Sequence, residues 1–132
     1  MKTGEGAVLD ASALLAVLLG EPGAAHVERY LPDAVISAVN LSEVAGKLME
    51  KDAPAEAVRQ AIAAVGLEVI AFDEAQAMVA ADLRVRSRAL GLSLGDRACI
   101  ALGETRGASV VTCDRVWSEL DSPAEIVVAR PD

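Results

Sequence analysis

Rings are nearly absent from this chain: one Phe, one Tyr and one Trp in 132 residues. The core must therefore be built from Ala, Leu, Val and Ile, and few stacking platforms remain for the bases of a single-stranded nucleic acid. Long apolar runs are also lacking. The longest, Ala13–Leu19, falls far short of the ~20 residues a membrane span needs. Asp10 and Ser12 lie just ahead of it and spoil a signal-peptide reading. The expectation is a cytoplasmic protein without membrane association. The single histidine, His26, follows Pro22-Gly23 in a helical stretch and reads as a surface side chain. Cys99 and Cys113 form no CxxC and no metal-ligand spacing, so they read as free thiols of a reducing compartment. GxSxG, Walker A and GxGxxG patterns are all missing. That removes the usual sequence signs of serine hydrolases, P-loop NTPases and dinucleotide enzymes.

What is present suits one globular domain spanning residues 1–132, with 53% hydrophobic residues. Short β-type runs alternate with helical patterns. Strands are predicted at Ala7–Leu9, Ala34–Ser37, Leu67–Ala71, Ser109–Thr112 and Glu125–Val128. Helices are predicted at Ala13–Leu19, Ala24–Leu31, Leu41–Lys51, Ala55–Val65, Glu74–Leu90 and Leu94–Arg106, several ended by glycine. Such alternation implies an α/β fold, a parallel sheet covered on both faces by helices. The Ala- and Leu-rich pair across Ala13–Leu31 suits either core or a dimer surface.

The net charge of −8 argues against nonspecific nucleic-acid binding. The charge is uneven, however. Between Arg84 and Arg115 six arginines face three acids, a local excess of +3. Arginine is the better phosphate ligand, although the same residues also describe a solvated helix face.

Four carboxylates stand out: Asp10, Glu43, Asp96 and Asp114. Asp10 and Asp114 each follow a predicted strand. Asn40-Leu-Ser-Glu43 and Ser93-Leu-Gly-Asp96 read as capping boxes, as does Asp73 with Gln76. Taken singly, every one of these acids can be a helix cap. Taken together they change meaning, because helix N-termini and strand C-ends share one edge of a parallel α/β sheet. Two unit charges about 4 Å apart repel by about 4 kcal/mol at an effective dielectric of 20. Acids gathered there call for a cation. A carboxylate set without His or thiolate suits a hard ion, Mg²⁺ or Mn²⁺, and such sites serve phosphate chemistry.

The ordered segments VLDASALLAVLLGE, AVNLSEVAGKL, LSLGDRACIALG and SVVTCDRVW resemble the PIN-domain family. More narrowly, the chain resembles the VapC-type toxins of type II toxin–antitoxin pairs. The resemblance runs from Val8 to about Val128. It implies a PIN-like three-layer sandwich with a central parallel sheet of four to five strands. It also implies a Mg²⁺- or Mn²⁺-dependent endoribonuclease, commonly a homodimer, silenced by a cognate antitoxin whose tail fills the site with a basic side chain. Carried over residue by residue, the metal-holding and catalytic acids fall on Asp10, Glu43, Asp96 and Asp114. Ser12 and Thr112 fall on supporting positions. Arg86, Arg97 and Arg115 are candidates to grip RNA phosphates, and Trp117 is expected to pack beside the last strand.

Three alternatives stay open: a catalytically weak PIN-like module that binds RNA or protein, another Mg²⁺-dependent phosphate hydrolase, and a scaffold whose acids are only caps. A haloacid-dehalogenase type would want DxD after strand one, where this chain has Asp10-Ala-Ser12. A phospho-acceptor receiver would want an acidic pair there and a later lysine after a strand, and neither is present.

Overall fold

The computed structural model describes residues 6–130. Five short strands form one parallel sheet: β1 (Ala7–Leu9), β2 (Val35–Ser37), β3 (Glu68–Ile70), β4 (Ser109–Thr112) and β5 (Ile126–Val128), in the order β3-β2-β1-β4-β5. Six helices join them: α1 (Ala11–Leu19), α2 (Ala24–Glu28), α3 (Ala38–Glu50), α4 (Ala55–Val65), α5 (Glu74–Arg86) and α6 (Leu94–Arg106). Short 3₁₀ turns follow at Arg88–Leu90 and Arg115–Glu119. The expected five-stranded PIN-like α/β architecture is present. Among the described residues no helix is long and apolar enough to cross a membrane.

Alternation along the central strand divides the core in two. Val8 points to one face, where Val35 and Val110 meet Leu83 and Ile100 of α5 and α6. Ala7 and Leu9 point to the other, where Ile36 and Val111 meet Leu14, Val27 and Val44 of the first three helices. A strand buried on both faces needs apolar residues at every position, which is why β1, β2 and β4 read as continuous runs rather than alternating ones. In the Ala13–Leu31 pair, Ala13, Leu14, Ala16 and Val27 are buried in the core, while Leu19 is 42% exposed. Trp117 is fully buried as well.

Three helix bounds differ from the sequence expectation by three residues or more. Helix α3 starts at Ala38, directly off β2, because the Ser37 hydroxyl accepts from the Val39 N–H and caps it. Asn40 is therefore inside the helix, and the expected Asn40–Glu43 capping box does not form. Helix α5 stops at Arg86 rather than Leu90: both the N–H and the hydroxyl of Ser87 donate to the Leu83 carbonyl, and the chain tightens into a 3₁₀ turn closed by Gly91 at φ 64°. Helix α2 ends at Glu28, where the Tyr30 N–H reaches only three residues back, to Val27.

With so few rings, helix–sheet contact depends on small residues. Gly103 of α6 is buried against Val110, and a Cβ built there collides with the Val110 Cγ2. Val110 has a stiff, β-branched side chain that cannot easily yield. Gly103→Ala is expected to destabilise the fold by about 1–3 kcal/mol through overpacking, measured as a lowered urea midpoint. An unchanged midpoint would mean that α6 can lift off the sheet freely.

Candidate active site

Strand β1 has β2 on one side and β4 on the other, and the chain leaves it in one direction and returns in the opposite one. This is a topological switch point, where a crevice opens beyond the strand C-ends. Asp10 immediately follows β1. Its Oδ1 accepts from the Ala13 N–H and the Ser12 hydroxyl, both at 2.8 Å, and its Oδ2 accepts from the Thr112 hydroxyl at 2.6 Å. The same two hydroxyls tie down the chain after β4: Ser12 Oγ accepts from the Cys113 N–H and Thr112 Oγ1 from the Asp114 N–H, each at 3.0 Å.

Asp10 is only 5% exposed. Burial pushes its carboxyl up to about 6 from 3.8; the three hydrogen bonds pull the other way, and the charge of Asp96 adds to the rise. Asp96 is the third residue of α6. Its Oδ2 accepts from the Ser93 N–H at 3.0 Å and Ser93 Oγ accepts from the Asp96 N–H at 3.1 Å, the reciprocal capping box read in the sequence. Asp114 caps the following 3₁₀ turn, accepting from the Val116 N–H at 3.0 Å.

Glu43 is placed by α3. Its Oε1 accepts from the Asn40 amide at 3.0 Å, and the same amide group donates to the Gly95 carbonyl at 3.0 Å. Both partners are acceptors, so the Asn40 NH₂ must face them and its Oδ1 must face away. That oxygen is buried with no hydrogen-bond partner. The Glu43 carboxylate lies directly over Gly95, where any Cβ would collide with it. One residue, Asn40, thus holds α3 to the start of α6 and aims the glutamate.

The four acids line a single cleft of about 650 Å³, joined there by Glu21, Asn40 and Ser12. Beneath it the buried Cys99 thiol is pushed well up by burial first, then by the charges of Asp10, Asp96 and Glu43. Its cations are Lys47, Lys51 and Arg130. None of the three arginines expected to grip phosphate lines it. Arg86 is held by Asp82 at 2.6 Å and Glu104 at 2.9 Å. Arg97 turns inward and donates to the Ala80 carbonyl at 3.1 Å. Arg115 is exposed on the turn after Asp114, outside the lining. Lys47 and Lys51 escaped sequence reading although the signal was there: they follow Glu43 at four and eight residues, on the same face of one helix. Arg130 carried no local signal; it arrives from beyond β5 and donates to the Cys113 carbonyl at 3.1 Å.

The donor chemistry fits a hard divalent cation: several acids on one rim, one of them buried, an orphaned buried amide oxygen, and no histidine, while the one thiol of the lining, Cys113, donates to the Ala129 carbonyl. Among the described residues, however, no three His, Cys, Asp or Glu side chains are drawn close enough to enclose an ion. Asp96, Asp114 and Glu43 each rest on their own N–H partner instead.

The PIN domain family model matches residues 7–123. No curated protein matches the chain. Among solved structures, a toxin–antitoxin complex from Klebsiella pneumoniae contains a chain 20% identical with a TM-score of 0.71, covering 92% of this chain and 100% of its own. VapBC2 from Rickettsia felis, bound to a DNA fragment from its promoter, gives 16% identity and 0.72 over 91% and 96%. VapC20 of Mycobacterium tuberculosis, a toxin that cleaves the Sarcin-Ricin loop, gives 19% and 0.69 over 96% and 100%. At these identities the likeness speaks for the fold alone.

The Asp10 carboxyl makes a prediction about stability. Its folded-state value lies above its unfolded one, so between about pH 4 and pH 6 the native state holds the proton more tightly. Stability is then greatest below the unfolded value and is lost as pH rises through about 6. The rise corresponds to about 3 kcal/mol at neutral pH. Asp10→Asn keeps the cap and removes this cost. In EDTA the variant is expected to exceed the parent in urea-unfolding free energy by about 1–3 kcal/mol near neutral pH, with the gap closing toward pH 4. A variant no more stable than the parent near neutral pH would contradict the assignment.

Proposed function

Because this chain belongs to the PIN-domain family, we propose that its acidic cleft is the active site of a Mg²⁺- or Mn²⁺-dependent endoribonuclease. We further propose that the protein is the toxin of a toxin–antitoxin pair. The observation that carries this is the delivery of Asp10, Glu43, Asp96 and Asp114 from four separate segments to one cleft at the β1/β4 switch point.

Asp10, Asp96 and Asp114 would hold the ion, with Glu43 holding a second ion or orienting water. The ion, when bound, supplies Lewis-acid activation of water and neutralises charge on the phosphoryl oxygens. The chain's own residues do the rest. Thr112, Ser12 and the Ala13 N–H fix both Asp10 oxygens, so its carboxylate cannot turn away from the cleft. Asn40 fixes Glu43 against Gly95. Lys47 and Lys51 bring positive charge one and two turns from Glu43, suited to the phosphates flanking the scissile bond.

The likeness to chains from toxin–antitoxin complexes supports an antitoxin partner. A cleft with five carboxylates and three cations would favour an inhibitor that enters with a basic side chain. Homodimer assembly belongs to the same reading. An acidic body whose few cleft cations stand beside five carboxylates favours one structured RNA over bulk degradation.

Two measurements test this. With Mg²⁺ or Mn²⁺ and a panel of structured RNAs, Asp10→Asn and Asp96→Asn are each expected to cut at least about a hundredfold more slowly than the parent, with folding retained by circular dichroism. Parent-like cutting by either variant would leave the acids as caps only. Gly95→Ala displaces the Glu43 carboxylate. A loss of about tenfold in cleavage rate, with little loss of stability because Glu43 is exposed, would separate positioning from folding. An unchanged rate would remove Glu43 from the machinery.

A further inference from the structure

Of the three arginines that close α5 and its following turn, one is structural and two are not. Arg86 is clamped between Asp82 and Glu104. Arg84 and Arg88 line a separate groove of about 450 Å³ with Val85, Ser87, Gly91 and Leu92. Among the described residues neither has an ion-pair or hydrogen-bond partner, in a chain where acids outnumber bases 20 to 12. Basic residues at a helix C-terminus can be explained by the helix dipole. Here neither guanidinium donates to a carbonyl of the last turn, so their N–H groups stay open.

We propose that Arg84 and Arg88 form a phosphate-gripping groove that holds the RNA strand as it runs out of the acidic cleft. This rests on the reading that RNA is the substrate of that cleft. The groove runs along the end of α5 and comes toward the cleft at its Leu92 side only. Leu92 lines the groove and Asp96 lines the cleft; four residues span at most about 14 Å even when fully extended. The pair has the chemistry for this occupant. Each guanidinium presents a planar fork that matches a phosphate in bidentate fashion. Val85, 64% exposed in the groove, and Leu94, 52% exposed between groove and cleft, add apolar surface for sugars and bases. The groove would lengthen the contact beyond the scissile phosphate and set which strand geometry can be cut.

The test reads binding in EDTA, so that it does not depend on cleavage. The probes are fluorescein-labelled single-stranded RNAs of roughly 20 and roughly 5 nucleotides. The double variant Arg84→Gln/Arg88→Gln is compared with Arg29→Gln/Arg106→Gln, which removes the same charge from exposed sites outside both surfaces. For the longer RNA the groove variant is expected to lose about tenfold in affinity. Its dependence of log K on log salt should flatten by about 1.4, at about 0.7 per phosphate contact. The control pair and the short RNA should change less than about twofold. A groove variant that matches the control pair on the longer RNA, or a parent that does not bind it, overturns the proposal. Binding lost as expected in a protein that never cuts RNA would sink the nuclease reading and leave the groove standing.

Discussion

A buried carboxylate joins the two halves of this fold. Asp10 ends β1, starts α1 and accepts from Thr112 at the end of β4, 102 residues away in sequence. Three donors converge on it, yet among the described residues no cation pairs with it, and burial raises its carboxyl to about 6. A residue kept only for capping would sit at the surface, where the same hydrogen bonds form without the desolvation penalty. The fold instead places the acid where it costs stability. Burial of that kind is frequent at functional sites, and it supports the role proposed for Asp10.

The topology explains why the other acids can join it. Sheet order β3-β2-β1-β4-β5 opens a crevice beyond β1 and β4, and the N-termini of α1 and α6 face the same edge. Asp96 reaches the rim as a capping residue and Asp114 as the cap of a 3₁₀ turn. Glu43 arrives differently. It lies in the second turn of α3, too far along to cap it, and is carried to the rim because Asn40 straps α3 to Gly95. Capping and convergence are therefore compatible here. The acids stand on separate N–H partners, but Asp10 and Glu43 are also fixed by residues from distant segments, Thr112 directly and Gly95 through Asn40. Local turn geometry alone does not produce those links.

The legible part of this structure was the part governed by local rules. Strand ends followed by Asp10 and Asp114, the Ser93–Asp96 capping box and the glycine stops of α4 and α6 are encoded within a few residues, and they stand where the sequence puts them. The start of α3 was misread because Ala38 and Val39 carry no polar signal, while Asn40 imitates a cap. The cations were misread for a different reason. A window of arginines says nothing about which face each one occupies, and Arg86 and Arg97 were claimed by Asp82, Glu104 and the Ala80 carbonyl. Those partners lie up to 18 residues away, across the α5–α6 contact, where only tertiary packing decides.

On the proposed function, charge also has to allow an acidic protein to take an anionic polymer. The net charge of −8 opposes the approach of RNA, but beyond the Debye length of about 8 Å at physiological salt this repulsion is largely screened. Inside that distance individual side chains dominate. Lys47 and Lys51 flank the acids within the cleft, and Arg84 and Arg88 line the separate groove at the end of α5. On the proposed reading, the cleft acids oppose the strand until a cation lies between them, so engagement without the ion rests on the flanking contacts alone. An RNA whose phosphates cannot reach both surfaces gains only part of that attraction and pays all of the repulsion. On that reading, selectivity for shape would follow from the arrangement of charge, without base-specific contacts and without the aromatic platforms that this chain has so few of.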